Sequence, residues 1–158
     1  MVSVRIRDAE DADLDGLVTL EAQTFASDRM TPRSFRRLLG RSTASLRVAT
    51  DRRGMLHGYH LVLFRAGSPV ARLYSIAVDR VHRGAGTGGR LLADAERVAQ
   101  SHRRTALRLE VRKDNRAAIG LYEARGYRRI GTYAAYYADR TDAFRYEKAL
   151  GGSKRGRR

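Results

Sequence analysis

Val2, Val4 and Ile6 alternate with polar positions, a period of two that predicts a first strand. Leu14, Leu17, Val18, Glu21 and Phe25 then recur at helical spacing, behind an acidic stretch suited to a helix N-terminus. Glu21 falls on the apolar stripe. It is either the edge of that stripe, with its carboxylate reaching water, or an anion facing a cleft to receive an amine. Thr31-Pro32 opens a second helix with proline at the first helical position; Phe35, Leu38 and Leu39 form its apolar face and Gly40 ends it.

Residues 45–50 and 58–64 flank a turn at Arg53-Gly54 and predict an antiparallel hairpin, and a third run, 71–78, follows Gly67-Ser68-Pro69. Leu91, Leu92, Ala95, Val98 and Ala99 predict an amphipathic helix through about His102, and Leu107, Leu109 and Val111 alternate as the next strand. A last helix spans about 116–125 and stops at Gly126, before strands near 127–133 and 143–148. The pattern predicts one α/β domain over residues 1–150, built on a mixed, mostly antiparallel twisted sheet with helices on both faces.

Between the strand ending at Val78 and the helix carrying Leu91 lies Arg83-Gly84-Ala85-Gly86-Thr87-Gly88-Gly89. Successive amides at a helix N-terminus can cradle a phosphate, because they are unpaired donors at the positive end of the helix dipole. Arg83 adds a charge for the same anion. A flexible glycine turn ahead of a helix is the plainer alternative. Gly84, Gly86 and Gly89 also fit G-x-G-x-x-G, with Glu110 about twenty residues on. A dinucleotide fold, however, brings its first glycine directly off a buried strand, whereas here the polar loop 79–83 intervenes. No Gly-Lys-Ser/Thr follows the cluster, which excludes a Walker loop.

The 158 residues hold no cysteine, so thiolate metal sites, disulfides and a cysteine nucleophile are excluded. The residues near the N-terminus lack the apolar run of a signal peptide or membrane span, and cytoplasmic residence is the expectation. Thirty-two Lys plus Arg against 17 Asp plus Glu give a net charge of +15, which favours polyanionic partners or is simply spread over solvated faces. Only residues 151–158 form a basic cluster, an apolar-free segment expected to be a disordered tail, able to touch RNA without being required to. His57 and His60, three apart on one strand, point to opposite faces, and His82 and His102 have no ligand pattern, so no metal is expected.

The stretch 73–78 (LYSIAV), the loop RGAGTGG and residues 109–127 (LEVRKDNRAAIGLYEARGY) together resemble the GNAT superfamily of N-acetyltransferases. The likeness is nearest to the bacterial RimI type, which acetylates the N-terminal amine of a ribosomal protein. It is strong from about residue 71 to 128 and looser at both ends. It implies acetyl-CoA as donor, with no metal: Ile76, Ala77 and Val78 on a strand that parts from its neighbour and pairs with the pantetheine arm, and Arg83 to Gly89 (Arg83, Gly84, Ala85, Gly86, Thr87, Gly88, Gly89) on the pyrophosphate. It further implies cofactor contact at Asn115, a general acid near the sulfur at Tyr122, a general base at Glu110, and a substrate-side loop at Tyr136-Tyr137.

The residues themselves leave alternatives open. Glu110 shares a strand face with Arg108 and Arg112, as an ion-paired carboxylate would; Asn115 stands where a helix cap is expected; Tyr122 lies in an apolar stretch, as a core tyrosine would. The sequence departs from the RimI type after the first helix, where Phe25 is followed by Ala26-Ser27-Asp28 rather than Pro-Trp, and it contains no tryptophan. The leading expectation is acetyl transfer to a protein N-terminal amine, directly within a ternary complex, by a monomer or homodimer. A small-molecule acceptor amine and a non-catalytic basic module binding RNA or ribosomes are the alternatives.

Overall fold

The computed structural model describes residues 3–151. Seven strands form one sheet: β1 (Arg5–Asp8), β2 (Ala44–Thr50), β3 (Leu56–Leu63), β4 (Val70–Val78), β5 (Ala106–Arg112), β6 (Arg128–Tyr133) and β7 (Ala143–Ala149). Their order is β1-β2-β3-β4-β5-β7-β6. Every pair is antiparallel except β4 with β5, the two strands joined through a helix. The mixed, mostly antiparallel sheet expected from the pattern is therefore present. What the pattern did not give is that β7 inserts between β5 and β6.

Four helices complete the domain: α1 (Leu14–Thr24), α2 (Pro32–Leu38), α3 (Thr87–Ser101) and α4 (Arg116–Ala124). The Thr31 side chain caps α2 by accepting from Ser34 N at 3.0 Å, with Pro32 next to it, as the sequence foretold. Strand alternation sorts the helices between the faces. Tyr59 and Leu61 of β3 pack with Leu17, Leu20 and Phe35 of α1 and α2 on one face. Val62, Leu107, Leu109 and Val111 pack with Leu92, Ala95 and Tyr122 of α3 and α4 on the other.

Gly58 lets α3 lie close to β3. A Cβ there would stand 2.6 Å from Ala77 O and 2.9 Å from Leu91 Cδ1. His57 and His60 do face opposite sides: His57 Nε2 meets Asp51 at 2.9 Å and His60 Nε2 meets Asp94 of α3 at 2.8 Å. Of the expected tail, residues 152–158 lie outside the described residues.

Candidate active site

The first feature of the site is a gap in the sheet. β4 and β5 pair only at Val70↔Ala106, Ala71↔Leu107 and Arg72↔Arg108, and then part. A bulge sits at the point of parting, because Leu61 faces Ser75 while Val62 faces Leu73, leaving Tyr74 without a cross-strand partner. A bulge bends its strand and sharpens the local twist, which turns the second half of β4 away from β5. The edge of residues 73–78 facing β5 is left without ladder partners, a backbone edge open to an extended ligand. Ala77 is 4% exposed, and Ile76 and Val78 are half-buried against the core, so these three residues offer the gap chiefly their backbone.

The N-terminus of α3 forms the second feature. A short 3-10 turn, Arg80–His82, leads from β4, with Asp79 accepting from Val81 N. Gly84 and Gly86 then take φ of +87° and +84°, a region that disfavours a side chain, and nothing lies within 4 Å of a Cβ at either. The bond from Arg90 N to Gly86 O at 3.1 Å marks the start of the helix ladder, which leaves the preceding amides as donors without helical acceptors. Gly88 passes close to Val78 and Leu121, Thr87 is buried, and Ala85 is exposed. Arg83 is exposed and donates its Nε–H to Val78 O at 3.3 Å, which holds its side chain beside the loop. A cradle of free amides with room for an anion fits a pyrophosphate, and the gap beside it fits an extended pantetheine arm.

Tyr122 stands among rings: Tyr127 at 5.8 Å and Tyr146 at 6.4 Å between centroids. Its neighbours are bonded, Tyr127 to Glu96 Oε2 at 2.8 Å and Tyr146 to Glu123 Oε2 at 2.6 Å. The Tyr122 hydroxyl, 4% exposed as a residue, has no such partner among the described residues. The oxygen is not one of the fully buried, unpaired polar atoms, so it opens onto accessible space rather than being sealed in the core. Burial, with the Tyr137 phenol adding to it, pushes the pKa of Tyr122 above its ordinary 10, so it is protonated at neutral pH.

Glu110 lies on the opposite sheet face, with its side chain 4% exposed. Arg72 Nη2 donates to Oε1 and Arg145 Nε to Oε2, both at 2.7 Å. The sequence grouped Glu110 with Arg108 and Arg112, but those two pair elsewhere, Arg108 with Glu147 and Arg112 with Asp139. Its actual partners come from neighbouring strands, and no local signal identifies them. Each Glu110 oxygen keeps a second lone pair, so the clamp leaves acceptor capacity.

The loop between β6 and β7 covers this face. Tyr136 Oη accepts from Arg72 Nη2 at 3.0 Å, the Tyr136 and Tyr137 rings meet edge to face at 5.0 Å, and Arg112 lies 5.0 Å over the Tyr137 ring. The α1–α2 loop closes the other side, where Ala138 N donates to Asp28 Oδ2 at 3.2 Å. Glu21 is not open to an amine: it is 2% exposed, accepting from Tyr59 Oη at 2.6 Å and Met30 N at 2.8 Å. Burial raises its pKa against the lowering effect of those bonds. Asn115 Oδ1 accepts from Ala118 N at 3.1 Å, the capping arrangement, from an exposed position.

A sheet that splits beside a glycine-rich helix N-terminus, with a phenol and a clamped carboxylate nearby, defines the acyl-CoA-dependent N-acyltransferase class. The sequence profile of the Acetyltransferase (GNAT) family matches residues 15–127, and the chain belongs to that family. It is 34% identical over 129 residues to the N-alpha-acetyltransferase RimI of Mycobacterium tuberculosis, covering 80% of this chain and 79% of that protein. It is 36% identical over 113 residues to the N-terminal acetyltransferase A catalytic subunit NAA10 of Arabidopsis thaliana, covering 69% of this chain and 59% of that protein. A longer Mycobacterium leprae protein shares 37% identity over 137 residues, and the chain spans only 37% of its length. Among solved structures, the ribosomal-protein-S18-alanine N-acetyltransferase of Escherichia coli superposes with a TM-score of 0.84 at 25% identity, with 96% of each chain covered. Among the described residues no helix is long and apolar enough to cross a membrane.

Proposed function

We propose that this chain transfers the acetyl group of acetyl-CoA to the α-amine at a protein N-terminus. The observation that carries the reading is the parting of β4 from β5 beyond Arg72, beside the free amides of residues 84–89 and between Tyr122 and Glu110. The relatives named for N-terminal acetylation support the choice of acceptor.

Acetyl-CoA supplies an activated thioester acyl group. The amides of Gly84 to Gly89 and the dipole of α3 hold its pyrophosphate, with Arg83 alongside and Asn115 at the mouth. The free backbone of Ile76, Ala77 and Val78 orients the arm and donates to the thioester oxygen. Tyr122, held protonated, donates to the departing sulfur. Glu110 faces the incoming amine beside Tyr136 and Tyr137 and takes its proton through water.

An α-amine suits this machinery: with a pKa near 8 about a tenth of it is neutral at pH 7, against roughly one in 2,500 for lysine. Attack is direct within a ternary complex, since the chain has no cysteine to carry an acyl group. Calorimetric titration with acetyl-CoA, beside Gly86→Trp, tests the donor site: saturable binding is expected for the native chain and none for the variant. Mass spectrometry of peptides with either a free N-terminus or a blocked N-terminus and an internal lysine then tests the acceptor. Modification of the lysine peptide alone would overturn the α-amine reading.

A further inference from the structure

Helix α2 and its flanks carry Arg29, Arg33, Arg36, Arg37 and Arg41, all exposed. None of the five forms an ion pair among the described residues, although most arginines on the sheet do: Arg47 with Asp8 and Asp94, Arg72 and Arg145 with Glu110, Arg108 with Glu147. Acids near them in sequence are occupied, Glu21 by Tyr59 and Met30, and Asp28 by Ser27 and Ala138. At about 100° per residue, Arg33 and Arg37 lie opposite Phe35 and Arg36 on the adjoining flank of α2; Phe35 is fully buried and packs edge to face on Tyr59 at 5.7 Å. The patch is therefore held outward by a fixed core anchor.

Its position ties it to the acceptor cleft. Asp28, one residue before Arg29, bonds the loop that carries Tyr136 and Tyr137. The arginines therefore begin one residue beyond the contact that joins the α1–α2 loop to the β6–β7 loop. Residues 28–31 extended and the seven of α2 span at most about 25 Å, the length of roughly seven extended residues.

We infer that this arginine face binds an acidic segment of the acceptor polypeptide, a few residues downstream of the amine that is acetylated. The inference rests on the N-terminal acetyltransferase reading above. An acidic peptide fits better than RNA for two reasons. The cleft itself delivers a polypeptide here, anchored by its N-terminus, and the one aromatic residue between Arg29 and Arg41 is the buried Phe35, so no ring is offered for a base to stack on. Solvated ion pairs of this kind act on encounter and on KM, and salt screens them.

The test compares three peptides that share their first four residues and continue with six acidic, neutral or basic ones. Each is assayed with the native chain and with Arg33→Gln/Arg36→Gln/Arg37→Gln. At low salt the acidic peptide is expected to have a KM about tenfold below the neutral one with equal kcat, from three exposed pairs acting together. The triple variant is expected to bring the two KM values together, leaving kcat and the KM for acetyl-CoA unchanged. Equal KM values for acidic and neutral peptides in the native chain overturn the inference. So does a preference that survives in the variant, or a variant that keeps the preference while losing affinity for a 20-nucleotide single-stranded RNA. Failure to acetylate any of the three peptides overturns the α-amine reading itself, an outcome distinct from turnover without discrimination.

Discussion

Arg72 of β4 donates its Nη2–H to Glu110 Oε1 of β5 at 2.7 Å, across the point where the two strands stop pairing. The same nitrogen donates to Tyr136 Oη at 3.0 Å, so one guanidinium joins the split sheet to the β6–β7 loop. Arg72→Gln is expected to lower kcat/KM for the acceptor about a hundredfold through misplacement of Glu110 and Tyr136, with acetyl-CoA affinity retained. Steady-state kinetics with each substrate varied in turn checks the split.

Tyr122→Phe separates catalytic from structural roles. Because the hydroxyl has no partner among the described residues, its removal is expected to change stability by less than about 0.5 kcal/mol. The kcat is expected to fall by about two to four orders of magnitude. Tyr127→Phe, which removes the bond to Glu96, is expected to do the reverse: a loss of about 1 kcal/mol in denaturant unfolding with kcat retained.

Gly58→Ala forces a methyl against Ala77 O and Leu91 Cδ1. The expected cost is about 1–3 kcal/mol, read by urea unfolding. Since both contacts lie where β4 and α3 border the proposed acetyl-CoA site, weaker acetyl-CoA binding is expected to accompany it.

Asp94 gives the stability a defined acid dependence. Burial opposes its charge, yet the hydrogen bonds from His60 and Arg47 outweigh burial and bring its pKa from the ordinary 3.8 down to about 2. As pH falls, the unfolded chain takes up this proton first, so the contribution, on the order of 2 kcal/mol, is present above pH 4 and is lost as pH approaches 2. Burial also lowers the pKa of His60, against the opposing effect of Asp94, so the unfolded chain binds that proton first too and stability declines below about 6.5. Asp94→Asn is expected to melt lower than the native chain at pH 6 and to converge with it near pH 2.

Much of the fold was legible in local pattern. The two strands from Val70 to Arg112 and the end of the helix between them were placed within a residue or two by their periods of two and 3.6; the glycine segment was read as loop through Gly89, whereas α3 already begins at Thr87. Thr31 and Asn115 were readable as caps for the same reason: capping is a bond between residues three apart. The bulge at Tyr74 was not readable, since a register shift belongs to two strands at once.

The candidate site divides along the same line. Residues 83–89 could be singled out because anion binding at a helix N-terminus is a property of contiguous backbone. Glu21 fitted two readings, and only the tertiary structure shows it enclosed by Tyr59 and Met30 rather than open to a cleft. Ala26-Ser27-Asp28 registered as a departure from the Pro-Trp pattern; that Asp28 reaches Ala138, 110 positions away, could not be inferred from it.

The sequence by itself determined the order and kind of the elements, the absence of a cysteine nucleophile, and the glycine-rich segment ahead of α3, each a matter of near neighbours along the chain. The tertiary structure decided where β4 leaves β5, which arginines clamp Glu110, that Tyr122 keeps an unbonded hydroxyl, and that the α1–α2 loop ahead of the unpaired arginines bonds the β6–β7 loop. Those relationships join side chains tens of residues apart, and they arise only when sheet register and helix packing bring them within hydrogen-bonding reach.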